Sequence, residues 1–224
     1  MKSGQLDALR STLLDTARSM AAVRLNVGTA GNASVRLGED LQRDGLLITP
    51  SGLAAEDCIP AQMVVVRADG GFDGNLAPSS EWQLHRDIYA AFPAAGAILH
   101  AHSPFATALA CQRREIPPFH YMIARFGGNT VRCARYATFG TQALSDETVV
   151  ALHERRACLL ANHGMVVHGR DLDHALALAI EFETLCEQYW RTCQLGAPVL
   201  LSDEEMREVV ERFRWYGKPM ARKR

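Results

Sequence analysis

Gly96-Ala97-Ile98-Leu99-His100-Ala101-His102-Ser103 is an apolar run that ends in two histidines spaced by two. Read as a strand, it sends residues two apart to one face, so both imidazoles project together from a rigid strand end. Two imidazoles placed in this way can hold one divalent metal. A His-x-His pair standing alone is more often two partly buried histidines with ordinary hydrogen bonds. Two further stretches shift that balance. Pro78-Ser79-Ser80-Glu81 offers a carboxylate at the start of a helical pattern, and Ala161-Asn162-His163-Gly164 offers a third imidazole at the end of another apolar run. His100, His102 and His163 with Glu81 make a plausible catalytic zinc set, three protein ligands being the usual number when a position is kept for water or substrate.

The chain has 224 residues, 48% hydrophobic and 22% charged, which suits one globular domain over residues 1–224. A formal net charge of −1 supplies no basic field for nucleic acid, and the short basic run Arg222-Lys223-Arg224 reads as solvated. No apolar run reaches membrane-spanning length. Met1-Lys2-Ser3-Gly4-Gln5-Leu6-Asp7 lacks an apolar signal core, so a cytoplasmic location is expected. The cysteines at 58, 111, 133, 158, 186 and 193 form no Cys-x-x-Cys pair and read as reduced, mostly buried thiols. A metal would therefore be held by histidine and carboxylate, not thiolate.

Apolar spacing predicts a first helix over residues 5–25, broken by the Gly- and Asn-rich stretch 26–32. Short strands follow at 33–37, 46–49 and 63–67, with Gly38-Glu39-Asp40 as a turn. A helix over 79–92 would be capped by Ser79 or Ser80 and carry Glu81 in its first turn, where a negative charge suits the helix dipole. The strand 96–102 leads to a helix opening at Pro104 and running to about Cys111. A short strand at 131–134, a helix at 145–156 capped by Ser145, strands at 157–160 and 165–169, and helices at 173–195 and 203–214 complete the chain. Strands alternate with helices, yet the hairpin-like turns argue against a purely parallel sheet. The expected fold is α/β, a three-layer α/β/α sandwich around a central mixed, largely antiparallel sheet.

The remaining histidines carry less. His85 lies four after Glu81 and either shares its helix face or sits on the surface, while His120, His153, His168 and His174 stand in charged or loop contexts that favour solvation. Gly31-Asn32, Ser51-Gly52 and Ser79-Ser80 are short polar pairs at element ends. Singly each is a turn or cap; gathered around one metal, their N–H and hydroxyl groups would cradle the phosphate of a small molecule. None matches the triphosphate-binding pattern Gly-x-x-x-x-Gly-Lys-Ser/Thr.

Five spaced motifs carry a resemblance that runs in order over nearly the whole chain. Gly31-Asn32-Ala33-Ser34, Thr49-Pro50-Ser51-Gly52, Pro78-Ser79-Ser80-Glu81, His100-Ala101-His102 and Asn162-His163-Gly164 resemble the class II aldolase/adducin family. Within it, Phe119-His120-Tyr121-Met122-Ile123-Ala124 with Gly127-Gly128-Asn129, Tyr136-Ala137-Thr138-Phe139-Gly140-Thr141 and the tail Phe213-Arg214-Trp215-Tyr216-Gly217 are most similar to the branch that cleaves L-fuculose 1-phosphate. The resemblance implies a homotetramer with active sites between subunits and one Zn2+ per subunit, held by His100, His102, His163 and Glu81. It implies that Gly31, Asn32, Ser51, Gly52, Ser79 and Ser80 bind phosphate, and that Tyr121, Phe139 and Tyr216 come from the neighbouring subunit to line the aldehyde end. Glu81 would move the carbon-bound proton and Tyr121 the proton on the aldehyde oxygen.

Departures from that branch lie at Ser51, where the hydroxyl is kept, at Ala101 and Ser103-Pro104-Phe105, and at Ala124-Arg125-Phe126, a bulky charged run expected near the aldehyde pocket. L-fuculose 1-phosphate is thus the leading substrate, with 5-deoxy- and 5-methylthio-ketose 1-phosphates next. A family epimerase, dehydratase or decarboxylase is the alternative among enzymes. An adducin-like binding protein is disfavoured because all four ligand candidates are present.

Overall fold

The computed structural model describes residues 3–38 and 45–213. Its strands β1 (Asn32–Arg36), β2 (Leu46–Ile48), β3 (Val64–Val66), β4 (Ala97–Ala101), β5 (Cys133–Ala134), β6 (Ala157–Leu160) and β7 (Gly164–Gly169) form one sheet in the order β3-β2-β1-β4-β7-β6-β5. Every neighbouring pair is antiparallel except β5 with β6. The helices are α1 (Ser3–Ala22), α2 (Trp82–Ala91), α3 (Pro104–Ala110), α4 (Gln142–Leu152), α5 (Leu172–Leu195) and α6 (Asp203–Phe213).

Strand alternation creates the layers. Ala97, Leu99 and Ala101 of β4 join a core with Leu13 and Leu14 of α1, Ala106 of α3, and Leu178 and Phe182 of α5. Ile98 points the other way, into a second core with Leu84 and Ile88 of α2 and Leu144 and Leu152 of α4. The result is the expected α/β/α sandwich with a mostly antiparallel sheet. His100 shares the parity of Ile98 and so faces the α2 side.

Element ends depart from the sequence reading for identifiable reasons. The first helix stops at Ala22, not residue 25, because Arg24 turns left-handed (φ 62) and Leu25 N–H returns to the Met20 carbonyl at 2.9 Å, burying Leu25. The expected strand at 131–134 is confined to Cys133–Ala134, with Val131 bridged to Ile116. The helix expected from Ser145 begins at Gln142, capped by the Thr141 hydroxyl, which accepts from Leu144 N at 3.3 Å. Ser145 is instead buried in α4 and donates to Asp87 at 2.6 Å. Ser202 and Glu205 form a reciprocal cap on α6. The expected Glu39-Asp40 turn and the end of the last helix at 214 lie outside the described residues. All six cysteines are free, but Cys111 and Cys193 are exposed, so burial is less general than expected.

One cap crosses the fold. Glu183 of α5 accepts from Phe105 N at 2.8 Å, Ala106 N at 2.9 Å and the Ser103 hydroxyl at 2.6 Å, satisfying the first turn of α3 directly after His102. Glu183→Ala strands those donors and should lower unfolding stability by about 2–4 kcal/mol. Glu183→Gln, which keeps an acceptor, should cost distinctly less; urea unfolding midpoints of the two variants check this.

Candidate metal centre

A strand register assembles the centre. β4 and β7 pair with Ala101 opposite Met165, so His102, just past the end of β4, meets His163, just before the start of β7. The expectation that His100 and His102 share a strand needs correction at its end. The strand stops at Ala101, and His102 N–H donates to Asn26 Oδ1 at 3.2 Å instead. The three rings still converge, with centroids 4.7 to 4.9 Å apart and interplanar angles of 69° to 77°. Their nearest nitrogens lie within 4.8 Å of one another, and the Nε2 atoms of His100 and His102 are 3.0 Å apart. At Gly164 a side chain would collide with the Ala101 carbonyl and crowd His102, so the turn after His163 needs glycine.

His100 is fully buried and donates Nδ1–H to the Met165 carbonyl at 2.9 Å, which turns Nε2 toward the centre. Glu81 sits at the cap position ahead of α2, one residue before the helix and not within its first turn (φ −103, ψ 17). Its Oε2 is 3.0 Å from His100 Nε2 and accepts from Asn32 Nδ2 at 3.0 Å. Its Oε1 is 3.5 Å from His163 Nε2 and has no hydrogen-bond partner among the described residues.

Burial alone would raise the Glu81 carboxyl, but the charges of His100 and His163 and the hydrogen bonds from His100 and Asn32 outweigh it and hold it well below the carboxylate range. Burial likewise disfavours charge on His100, yet Glu81 outweighs it and raises that imidazole. Burial and the charge on His100 push His102 and His163 down to about 4, with Glu81 pulling the other way. Two neutral imidazoles, a third paired with a carboxylate, and a buried oxygen lacking a partner fit a divalent cation, whose binding would displace the His100 proton.

A polar seam stands behind Glu81. Asn32 and Ser34 project from β1 toward α2, where His85 Nε2 meets Asn32 Oδ1 at 2.5 Å and His85 Nδ1 meets the Ser34 hydroxyl at 2.6 Å. Ser34 also meets the Tyr89 hydroxyl at 2.8 Å. His85 is therefore fully buried, against the surface alternative, and burial with the His100 charge lowers it to about 3. His168, expected to be solvated, is also largely buried; it stacks on Phe92 at 5.3 Å and bonds the Arg155 carbonyl.

The centre opens into a cavity of about 350 Å3. Gly31, Asn32, Ser51, Gly52, Ser79, Ser80, Glu81, His102, Phe139 and His163, all singled out in the sequence, line it. Thr29, Ala30, Pro50, Tyr136, Ala137 and Asn162 join them without having been singled out as site residues. Tyr136 carried a signal that was used only for resemblance; it lies under the guanidinium of Arg113, which also bonds Asn162. Phe139, expected from a neighbouring subunit, lines this chain's own cavity. Tyr121 does not line it; half-exposed, it stacks near Phe213 in a separate groove. Tyr216 lies outside the described residues. The run Ala124-Arg125-Phe126 does not crowd the cavity, because Ala124 and Phe126 are buried and Arg125 faces Glu181 at 3.9 Å.

Residues 11–190 match the model of the Class II Aldolase and Adducin N-terminal domain. The chain belongs to the class II aldolase and adducin family. It is 51% identical over 214 residues to the 5-methylthioribulose-1-phosphate/5-deoxyribulose-1-phosphate aldolase of Rhodospirillum rubrum, covering 96% of this chain and 95% of that one. It is 42% identical over 210 residues to the L-fuculose phosphate aldolase of Escherichia coli strain K12, covering 93% and 95%. A solved L-fuculose 1-phosphate aldolase superposes with a TM-score of 0.86 at 37% identity, covering 92% of this chain and 95% of that one. This class II aldolase is a lyase of a metal-dependent class, and the three-histidine group is where it could bind its metal. No described helix is long and apolar enough to cross a membrane.

The lowered imidazoles set an acid limit for metal-stripped protein. Unfolded histidine titrates at about 6.5, whereas His102 and His163 titrate at about 4 in the fold. Between those values the unfolded chain binds more protons, so this contribution is whole above pH 6.5 and falls toward pH 4. His100, shifted upward, keeps its contribution throughout that interval and loses it only as pH rises through its own value. Urea midpoints of chelator-treated protein should fall across pH 6.5 to 4, and His102→Gln should flatten the decline.

Proposed function

We propose that this aldolase cleaves a ketose 1-phosphate between C3 and C4, giving dihydroxyacetone phosphate and a small aldehyde, with zinc as its metal. The observation that carries this reading is the composition of the cavity, in which glycines and serines, Glu81, His102 and His163, and Tyr136 and Phe139 line one space. Gly31, Ser51, Gly52, Ser79 and Ser80 suit a phosphate through N–H and hydroxyl groups. Gly31 and Gly52 hold left-handed turns (φ 71 and φ 74), while the Ser51 and Ser79 N–H groups bond the Ala77 and Thr49 carbonyls, so hydroxyls and the remaining N–H groups would meet the phosphate.

The chain has three lysines, Lys2, Lys218 and Lys223, and none falls within the motifs that make up the site. Held by His100, His102 and His163, zinc would supply Lewis acidity toward the ketone oxygen and so favour negative charge at C3. In cleavage, Tyr121 of a neighbouring subunit takes the proton from the C4 hydroxyl as the C3–C4 bond breaks and the aldehyde forms. The electron pair stays with the three-carbon half, and Glu81 delivers to C3 a proton that replaces, in the net balance, the one Tyr121 took from the C4 hydroxyl; condensation reverses each step. Tyr121 lines a groove separate from its own chain's cavity, as the reading of a site completed by a neighbouring subunit of a homotetramer requires.

The aldehyde end favours apolar groups, since Tyr136, Ala137 and Phe139 line it. With the 51% identity to the Rhodospirillum rubrum enzyme, this puts 5-methylthioribulose and 5-deoxyribulose 1-phosphates ahead of L-fuculose 1-phosphate. The latter remains the second reading on the strength of the superposed structure.

Release of dihydroxyacetone phosphate from the three ketose phosphates, with and without chelator, tests substrate and metal together. The 5-methylthio compound should exceed L-fuculose 1-phosphate in kcat/KM by roughly tenfold or more, and chelator should abolish all turnover. Preference for L-fuculose 1-phosphate would reverse the order, and chelator-resistant turnover would remove the metal from the reading. Glu81→Gln should lower kcat by roughly 10²–10⁴-fold. Subunits carrying Glu81→Gln mixed with subunits carrying Tyr121→Phe should regain activity on exchange, which sites confined to one chain would not do.

A further inference from the structure

We propose that His85 is a positioning residue for the reaction: it fixes the amide of Asn32 so that the NH2 group, and not the carbonyl, faces Glu81. The inference rests on the reading of Glu81 as the group that moves the proton at C3.

Donor and acceptor accounting determines the direction. A carboxylate only accepts, so the Asn32 atom 3.0 Å from Glu81 Oε2 must be the amide nitrogen. The amide oxygen then points at His85 Nε2, at 2.5 Å, and that nitrogen must carry the proton. His85 Nδ1 is left as an acceptor, and the Ser34 hydroxyl donates to it at 2.6 Å. Ser34 in turn accepts from the Tyr89 hydroxyl at 2.8 Å. His85 and Ser34 are wholly buried, and Asn32 and Tyr89 are 6% and 5% exposed, so water is a poor substitute for any missing partner. Turning the amide over would set its oxygen against the carboxylate and its NH2 against the His85 N–H, leaving both contacts repulsive.

The seam is regular enough to be rigid. Two residues of strand rise about 6.6 Å, and four residues of helix rise about 6 Å. Asn32 and Ser34 on β1 therefore keep step with Glu81 at the cap of α2 and with His85 and Tyr89 on the helix. Arg36 extends the match by donating to the carbonyls of Tyr89 and Phe92, at 2.6 Å and 3.1 Å. The sequence placed Asn32 among the phosphate contacts; in the fold its side-chain amide is bonded at both ends to protein.

Three measurements test this. In wild-type protein labelled with 15N-histidine, long-range 1H–15N spectra should show His85 as the Nε2–H tautomer; the Nδ1–H tautomer would overturn the proposal whatever Glu81 does. His85→Leu should slow solvent-deuterium exchange at C3 of dihydroxyacetone phosphate by roughly 10–100-fold, with KM for the ketose phosphate nearly unchanged. His85→Gln, whose amide can still donate to Asn32, should recover most of the exchange. Equal losses in both variants would mean a merely structural role and overturn the proposal, as would unchanged exchange in a folded His85→Leu protein. Exchange by Glu81→Gln is the separate control: if it persists, the assignment of the base fails while the tautomer result still decides the orientation of Asn32.

Discussion

A carboxylate buried against two of three clustered histidines is the constraint around which this aldolase is built. Removing Glu81 from water is unfavourable unless its oxygens are matched by charge and hydrogen bonds. The fold supplies the match from three directions. β4 brings His100, the turn before β7 brings His163, and β1 brings Asn32. Placing Glu81 ahead of α2 leaves its side chain free of helical packing and lets it reach all three. One oxygen is nearly saturated by this arrangement and the other is not.

The cavity divides its work by residue type. Glycine and small hydroxyl residues occupy loops at the ends of β1 and β2 and before α2. Aromatic side chains come from the segment after β5, beside Arg113 and Asn162.

Much of this was legible in the sequence because it was local. Strand parity announced the sheet faces, and His100, His102, Glu81 and His163 each stood at the end of an element. What was hidden depended on contacts between distant segments. No local pattern distinguishes a surface His85 from one locked between Ser34 and Asn32. Glu183 capping α3 from another helix, and Thr141 displacing Ser145 as the cap of α4, were equally invisible, since several small polar residues compete for such positions. Ala124-Arg125-Phe126 looked intrusive as a string, yet its apolar members turn into the core. Tyr121 showed its residue type but not the surface on which it lies.

The hydrogen bond from His100 to the Met165 carbonyl has an evolutionary consequence. The acceptor belongs to the backbone, so no codon at position 165 can remove it except by disturbing the pairing of β4 with β7. The protonation pattern of this ligand is thereby inherited with the sheet and not with any one side chain. Substitutions can accumulate at position 165, subject only to packing, while the imidazole beside it stays correctly turned.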